Sequence, residues 1–296
     1  MRIIEYIHLC RNCGQFISTI NGNYFQPHGW KCYSYPLNYK ITINESLVKS
    51  LKWKYLITTV FTKLKRKNAI EFVLDTNSYD INLFSRKTRN RINKSLSNCS
   101  FKKPCLEHLV SFGLEINRQT LNRQHRRDKI LTSKKQWNTY ISTLYSDNEI
   151  IFLGAYYKER MVGYLITFEL EGEFNILHAF IDRQDSETTS PMMGLIYTLA
   201  NQLIMKYGSV KISYGLDSFN AEPELCRFKR NMLFKPIPVT RVYVINPIVL
   251  LFFKLIIILN IRILGRKNIH NAFTRKIIQL YQGYRIFSKS YDKLGH

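Results

Sequence analysis

Between Leu153 and Pro247 the residues spell strand, strand, strand, helix, strand, helix, strand, and this order restricts the fold more than any other part of the chain. Ile151, Leu153, Ala155 and Tyr157 alternate with mixed positions. A turn at Lys158-Glu159-Arg160 leads into Val162, Tyr164, Ile166 and Phe168, and Glu171-Gly172-Glu173 turns the chain into Ile176, His178 and Phe180. A period of two predicts a strand meander from Ile150 to Ile181. After a polar loop, Asp182 to Ser190, a helix is predicted with Ser190 as N-cap and Pro191 at its first position. Met192, Leu195, Ile196, Leu199, Leu203 and Ile204 recur at helical spacing, and Gly208 closes the helix. Val210, Ile212 and Tyr214 read as the next strand. Pro223 opens a short helix through Met232, which carries Arg227-Phe228-Lys229-Arg230, and Pro238 to Ile245 returns as a strand.

Residues 1–84 read as a looser α+β lobe. Asn21-Gly22-Asn23 is a hairpin signal, and Tyr55 to Phe61 and Ala69 to Leu74 read as strands around a basic turn at Lys63 to Lys67. Two basic helices follow. In residues 85–97, Ser85 is the cap, Arg86, Lys87, Arg89, Arg91 and Lys94 stand without an acid, and Ile92 and Leu96 supply one apolar stripe. Leu106 to Arg127 places Leu109, Phe112, Ile116, Thr120 and Leu121 on one face and crowds Arg118, Arg123, Arg126 and Arg127 at its end. Both helices read either as solvated faces or as a wall that binds phosphate.

The chain carries 44 Lys plus Arg against 21 Asp plus Glu, a formal charge of +23. Such an excess repels itself in a compact state and favours anionic partners: nucleic acid, phosphorylated substrates or an acidic membrane. An AT-rich genome would also enrich Lys, Asn, Ile and Tyr. Nucleic-acid binding through the basic helices is weakened by the scarcity of aromatics there, Phe101 alone being placed to stack. Cys10, Cys13, Cys32, Cys99, Cys105 and Cys226 lack the spacing of a disulfide framework. Cys10, Cys13, His28 and Cys32 lack the second pair of a zinc site, so no metal is expected. Residues 1–20 have no apolar run long enough for a signal peptide, which predicts a cytoplasmic protein.

Ile248 to Ile263 is almost wholly apolar, interrupted by Lys254, Asn260 and Arg262. It falls short of the ~20 residues that a spanning helix needs. Residues 248–296 hold nine Lys or Arg and one acid, Asp292. This basic tail fits a helix lying in a membrane interface, and equally an apolar helix docked on the protein's own core or on a partner.

The order from Ile150 to Ile245 resembles the acyltransferase fold of the GNAT superfamily, and within it the Fem-type (FemAB-like) branch. The residues that carry the resemblance are Gly163-Tyr164, His178-Ala179, Ile212-Ser213-Tyr214-Gly215-Leu216 with Ser218, and Arg227-Phe228-Lys229-Arg230 with Met232 and Phe234. Upstream, Ser85 to Arg89 and Thr120-Leu121 with Arg123-Gln124 also match. The resemblance implies an α+β fold: a mixed sheet flanked by helices, in two GNAT-like lobes. The organisation is then a lobe over 1–84, a transferase lobe over 85–247 and a helical tail over 248–296. It implies an enzyme that moves an acyl or aminoacyl group to an amine of a nucleotide-, lipid- or glycan-linked cell-envelope precursor. The alternative is an inactive scaffold that binds a glycolipid, tRNA or a biosynthetic partner.

In Fem-type enzymes the lysine of the Phe-Lys pair belongs to the active site, which implies that role for Lys229, a fixed cation beside a developing oxyanion. His178 and Asp217 are the other catalytic candidates, as bases for the attacking amine. Arg89, Arg91, Arg123, Tyr214, Ser218 and Arg227 are the candidates for substrate binding. Where acetyl-CoA-dependent members carry a glycine-rich pyrophosphate loop, this chain reads Ser186-Glu187-Thr188-Thr189-Ser190-Pro191. It has no glycine, and Pro191 lacks an N–H. The expected donor is therefore not acyl-CoA in the usual pose. Aminoacyl-tRNA or an acyl carrier is the alternative, and an anionic membrane surface is the expected partner of residues 248–267.

Overall fold

Asn21 and Gly22 both take left-handed backbone angles, φ +48° and +71°, as a two-residue hairpin turn requires. They join β1 (Ser18–Ile20) to β2 (Asn23–His28). In the computed structural model the described residues are 1–37, 39–62, 67–124, 126–182, 189–218, 223–263, 280–281 and 283–285. Most of the basic turn at 63–67, of the loop at 182–190 and of the tail beyond Ile263 lies outside them. The chain divides into two compact units. The first holds Met1–Gln15, Phe72–Gly215 and Asn220–Ile237; the second holds Phe16–Glu71, Leu216–Phe219 and Pro238–His296. These cuts fall at other places than 84/85 and 247/248.

In the second unit β3 (Lys31–Ser34) pairs antiparallel with β2 and parallel with β4 (Ile57–Thr62). β11 (Lys235–Ile245) pairs antiparallel with β4 from Ile245 opposite Ile57 to Thr240 opposite Thr62. Helix α2 (Glu45–Lys54) starts at Asn44, whose side chain accepts from the Leu47 amide at 2.8 Å. Its Leu47, Val48 and Leu51 pack on Phe25, Val60, Val242 and Val244. Sequence reading missed this helix because it buries only three residues among polar ones.

The first unit carries its own mixed sheet. β7 (Ile150–Tyr157), β8 (Arg160–Leu170) and β9 (Glu173–Ile181) form the expected antiparallel meander. β6 (Ser100–Lys102) pairs with β7, and β10 (Val210–Ser218) runs parallel to β9. On the far side of β10 lies β5 (Ala69–Thr76), whose residues from Phe72 on belong to this unit. Tyr164 faces helices α5 (Leu114–Arg123) and α7 (Lys134–Tyr145), where its hydroxyl donates to Asn117 and its ring adjoins Trp137. Its neighbour Gly163 faces Leu195 of α8 (Pro191–Tyr207). Helices on both faces explain why β8 is buried along almost its whole length. α1 (Ile3–Asn12), not foreseen from the sequence, stacks Tyr6 on Phe168 at 4.2 Å.

The basic helix α3 (Arg86–Asn98) forms as expected, with Ser85 accepting from the Thr88 amide. Its buried stripe is Thr88, Ile92 and Ser95, however, while Leu96 is exposed. The second basic helix ends at Arg123, not Arg127, so Arg126 and Arg127 lie beyond it. It begins as α4 (Leu106–His108) and widens into a π-turn over Leu109–Gly113. There the Trp137 indole N–H donates to the Leu109 carbonyl at 2.8 Å. A short helix α6 (Lys129–Thr132) follows, capped by Asp128.

α8 runs so close to α3 and β6 that a Cβ on Gly194 would meet the Phe101 ring and the Ser95 hydroxyl. At an open helical site Gly→Ala stabilises by about 1 kcal/mol. Here Gly194→Ala is expected to destabilise by about 1–3 kcal/mol through overpacking. Urea unfolding of the variant reads the sign; a stabilised protein would contradict the packing described.

Candidate functional site

β9 and β10 share register at only two positions, Phe174 with Ile212 and Asn175 with Ser213. Each strand carries a device just beyond that point. Opposite β8, His178 pairs with Ile166 while Ile176 pairs with Thr167, so Leu177 is an extra residue that bends β9. In β10, Gly215 takes φ +86°, a backbone angle that suits glycine alone. From Ile176 to Ile181 the residues of β9 keep partial exposure, while the His178 ring is set against Tyr140 and Phe180. An edge of this kind leaves backbone donors and acceptors open to a ligand.

Next to this parting stands Lys229, on helix α9 (Pro223–Asn231). The side chain is only 3 % exposed. Its ammonium lies 4.9 Å from the Phe72 ring centroid and 5.0 Å from that of Tyr214, the first β10 residue past the paired segment. Tyr214 is itself held edge-on against Phe234 at 5.4 Å and Phe228 at 6.3 Å. Helical spacing alone would pack Phe228 with Met232, four residues on, and turn Lys229 to the surface. Instead Lys229 and Met232, three apart, are buried, and Phe228 is half-buried. Aromatic faces attract an ammonium, by about 2 kcal/mol where water is excluded. An ammonium at such a place can stabilise negative charge that develops on a carbonyl oxygen.

His178 follows the bulge on β9. Its Nε2 lies 2.8 Å from the Tyr140 hydroxyl, and its ring stacks on Phe180. Burial, and then the nearby Arg126 charge, push its pKa down to about 4. It is therefore neutral near pH 7 and a weak base there. Nearby, Asp182 is fully buried and accepts from Arg160 at 3.0 Å, and Arg160 also reaches Glu115 at 3.2 Å.

Asp217 and Ser218 lie within β10, which runs four residues past Tyr214 rather than ending there. Asp217 is half-buried and belongs to the second unit's segment Leu216–Phe219; the Ser218 side chain lies outside the described residues. Arg89 is half-exposed and donates to Asn82 at 3.2 Å, and Arg91 and Arg123 are exposed. Arg227, two residues before Lys229, is exposed and faces Glu224 at 3.9 Å, so it points to solvent. The structure thus joins Lys229 to Tyr214 and leaves the arginines on surfaces. Phe72 and Tyr140 were missed. Phe72 reads as an ordinary strand residue, and nothing in the sequence around Tyr140 marks it. Ser190, the expected N-cap, takes a left-handed conformation at φ +48° and makes no side-chain cap bond. Among the described residues no group of three or more His, Cys, Asp or Glu could hold a metal ion.

No family model and no curated sequence matches the chain. Solved structures do. FemX is 9% identical with a TM-score of 0.57, covering 85% of this chain and 93% of that one. The C-terminal domain of a protein from Agrobacterium fabrum, described as a lysylphosphatidylglycerol synthetase, is 10% identical with a TM-score of 0.53. It covers 85% of this chain and 90% of that domain. At such identity the likeness is one of fold: this chain shares with both an α+β architecture of mixed sheet and flanking helices, as the sequence resemblance implies.

The depressed His178 pKa sets a pH dependence. The unfolded imidazole takes up a proton as pH falls through 6.5, while the folded one stays neutral to about 4. The unfolded state therefore binds more protons between these values, and stability is lost as pH falls from about 6.5 to 4. Urea midpoints from pH 4.5 to 7.5 should fall more steeply for the parent than for His178→Gln. Parallel profiles would show that His178 titrates normally.

Proposed function

We propose that this protein is an N-acyl or aminoacyl transferase acting on an amine of a nucleotide-, lipid- or glycan-linked cell-envelope precursor. The observation that carries the reading is the buried ammonium of Lys229 beside the parting of β9 and β10. Attack of an amine on an acyl carbonyl builds an oxyanion, and a cation away from water stabilises it more than an exposed one would. Lys229 is the residue for that task. Asp217 orients or deprotonates the amine. His178, neutral and bonded to Tyr140, is better suited to hydrogen-bond the substrate than to take its proton. Arg89, Arg91, Arg123 and Arg227, with Tyr214 and Ser218, are assigned to the anionic parts of donor and acceptor.

The name of one similar structure, a lysylphosphatidylglycerol synthetase, supports the lipid-linked side of this reading. For the donor, Pro191 at the start of α8 offers no amide N–H to a pyrophosphate, and the glycine-rich run is missing. Aminoacyl-tRNA or an acyl carrier is thus favoured over acyl-CoA in the usual pose. The same departure favours, as second reading, a scaffold that binds a glycolipid, tRNA or partner without transfer. The protein is assigned to the cytoplasm, peripherally associated with a membrane. Among the described residues no helix is long and apolar enough to cross one.

Lys229→Met keeps the buried stem and removes the charge. Transfer should fall by about 10²–10³-fold, with the melting temperature within a few degrees of the parent. Lys229→Ala should also lose stability, because it empties a packed site. The assay is mass spectrometry of nucleotide- and lipid-linked precursors incubated with aminoacyl-tRNA, acyl carrier and acyl-CoA donors. Unchanged turnover in Lys229→Met would remove the assignment; precursor binding without any transfer by the parent would favour the scaffold.

A further inference from the structure

Three strand ends of the second unit lie in a row. β3 is parallel to β4 and β11 antiparallel to it, so the residues before β3 and β4 and the residue after β11 come to the same end of the sheet. Hydrogen bonds fix them there. The Leu56 amide donates to the Trp30 carbonyl at 3.2 Å, and the Asn246 amide donates to the Leu56 carbonyl at 2.9 Å. The Asn246 side chain also donates to Lys52 in the last turn of α2, and accepts from the Ile248 amide. Helix α10 (Pro247–Ile263) therefore starts beside the end of α2.

Apolar residues at this end face outward. Phe253 is buried against Ile57 and Ile245, which fixes one side of α10 on the core. The opposite side shows Ile248, Leu251, Phe252 and Leu255, each at least half exposed and spaced as a single helical stripe. Trp30 is 53 % exposed and Trp53 67 %, and Leu56 stands exposed in the row between Trp30 and Asn246. Scattered single apolar residues need no explanation, but a contiguous set marks an interaction site.

The charged residues that the described part of this unit brings to the patch are lysines. Lys31 stands over the Trp30 ring at 4.5 Å, Lys52 and Lys54 close α2, and Lys254 lies on the exposed side of α10. Among the described residues the acids of this unit are Glu45, Glu71 and Asp217. Glu45 is at the opposite end of α2, and Glu71 is buried with Lys40 at 3.8 Å. A second copy docked here would set lysine against lysine. An anionic bilayer supplies both what the lysines and what the stripe require, and tryptophan favours the level of the headgroups.

We propose that this end of the second unit, formed by Trp30, the Lys52–Leu56 corner and the outer stripe of α10, docks on an anionic lipid surface. α10 lies in the interface rather than across it. Its 17 residues span about 25 Å, and one side is already taken by the core. The inference rests on the peripheral-membrane part of the proposed function and not on the transfer chemistry.

The test uses the full chain and vesicles of phosphatidylcholine, with and without phosphatidylglycerol. Of the three tryptophans, Trp137 is fully buried and Trp30 and Trp53 are exposed, so fluorescence reports on the patch. The parent should sediment with the anionic vesicles, and brominated lipid should quench its emission. High salt should weaken the binding without abolishing it, since only the charge contribution is screened. Trp53→Ser, Leu251→Ser and Phe252→Ser together should lower partitioning by more than about tenfold and leave transfer to a water-soluble acceptor unchanged. Lys229→Met should bind vesicles as the parent does. No sedimentation, or equal sedimentation of the triple variant, would overturn the proposal. So would a parent dimer that the triple variant converts to monomer without any lipid binding.

Discussion

Two parallel strands that pair at two positions and then part set the character of the first unit. A parallel ladder ordinarily continues as long as both strands stay extended, so each must be diverted. β9 is diverted by an inserted residue, Leu177, two positions past Asn175. β10 is diverted by a left-handed glycine, Gly215, two positions past Ser213. The rest of the unit supports this opening. β9 holds β8 along nearly its whole length, and β8 is covered on both faces by α5, α7 and α8. A strand fixed so firmly on one edge can leave its other edge open without fraying.

The opening gains chemical meaning from Lys229. Taking an ammonium out of water costs several kcal/mol, and two aromatic faces return part of it. An apolar residue of similar volume can replace a buried charge without loss of stability, even where that charge is partnered. Arginine is not equivalent, because its planar fork differs in shape and hydration from a compact ammonium. The cost is understandable if the charge is needed where water is absent, as a developing oxyanion beside the strand parting requires.

The meander, its two tight turns, α8 and the Phe-Lys helix were all legible, because each rests on a local rule: alternation, left-handed turn residues, helical spacing, a closing Gly208. What was not legible depends on contacts far apart in sequence. Lys229 reads as one more base on a basic helix until Phe72 and Tyr214 are brought to it. His178 reads as an inward strand residue, and only Tyr140, from a helix that no pattern announced, defines its state. In α3 the period pointed to Leu96, but close approach to Gly194 favoured the smaller Ser95 as the buried residue. Alternation carries the readable strand only to Tyr214, whereas β10 turns through the left-handed Gly215 and continues to Ser218.

The same contrast between local and assembled features applies to the second unit's apolar end. Biased base composition would explain abundant Ile, Lys, Asn and Tyr, and so an apolar tail with lysines could arise without selection for a partner. It does not explain tryptophan, whose only codon is not AT-rich, at two exposed positions beside that tail. Nor does it explain why Trp30, Leu56 and Asn246, from three separate segments, are tied in one row by main-chain hydrogen bonds. A globular end with no partner would lower its exposed apolar area at Ile248, Leu251, Phe252 and Leu255, since their replacement would leave the Phe253 side of α10 packed. Keeping that stripe outward, with Lys31, Lys52, Lys54 and Lys254 at the same end, is the arrangement expected of a surface that meets apolar matter beneath an anionic layer.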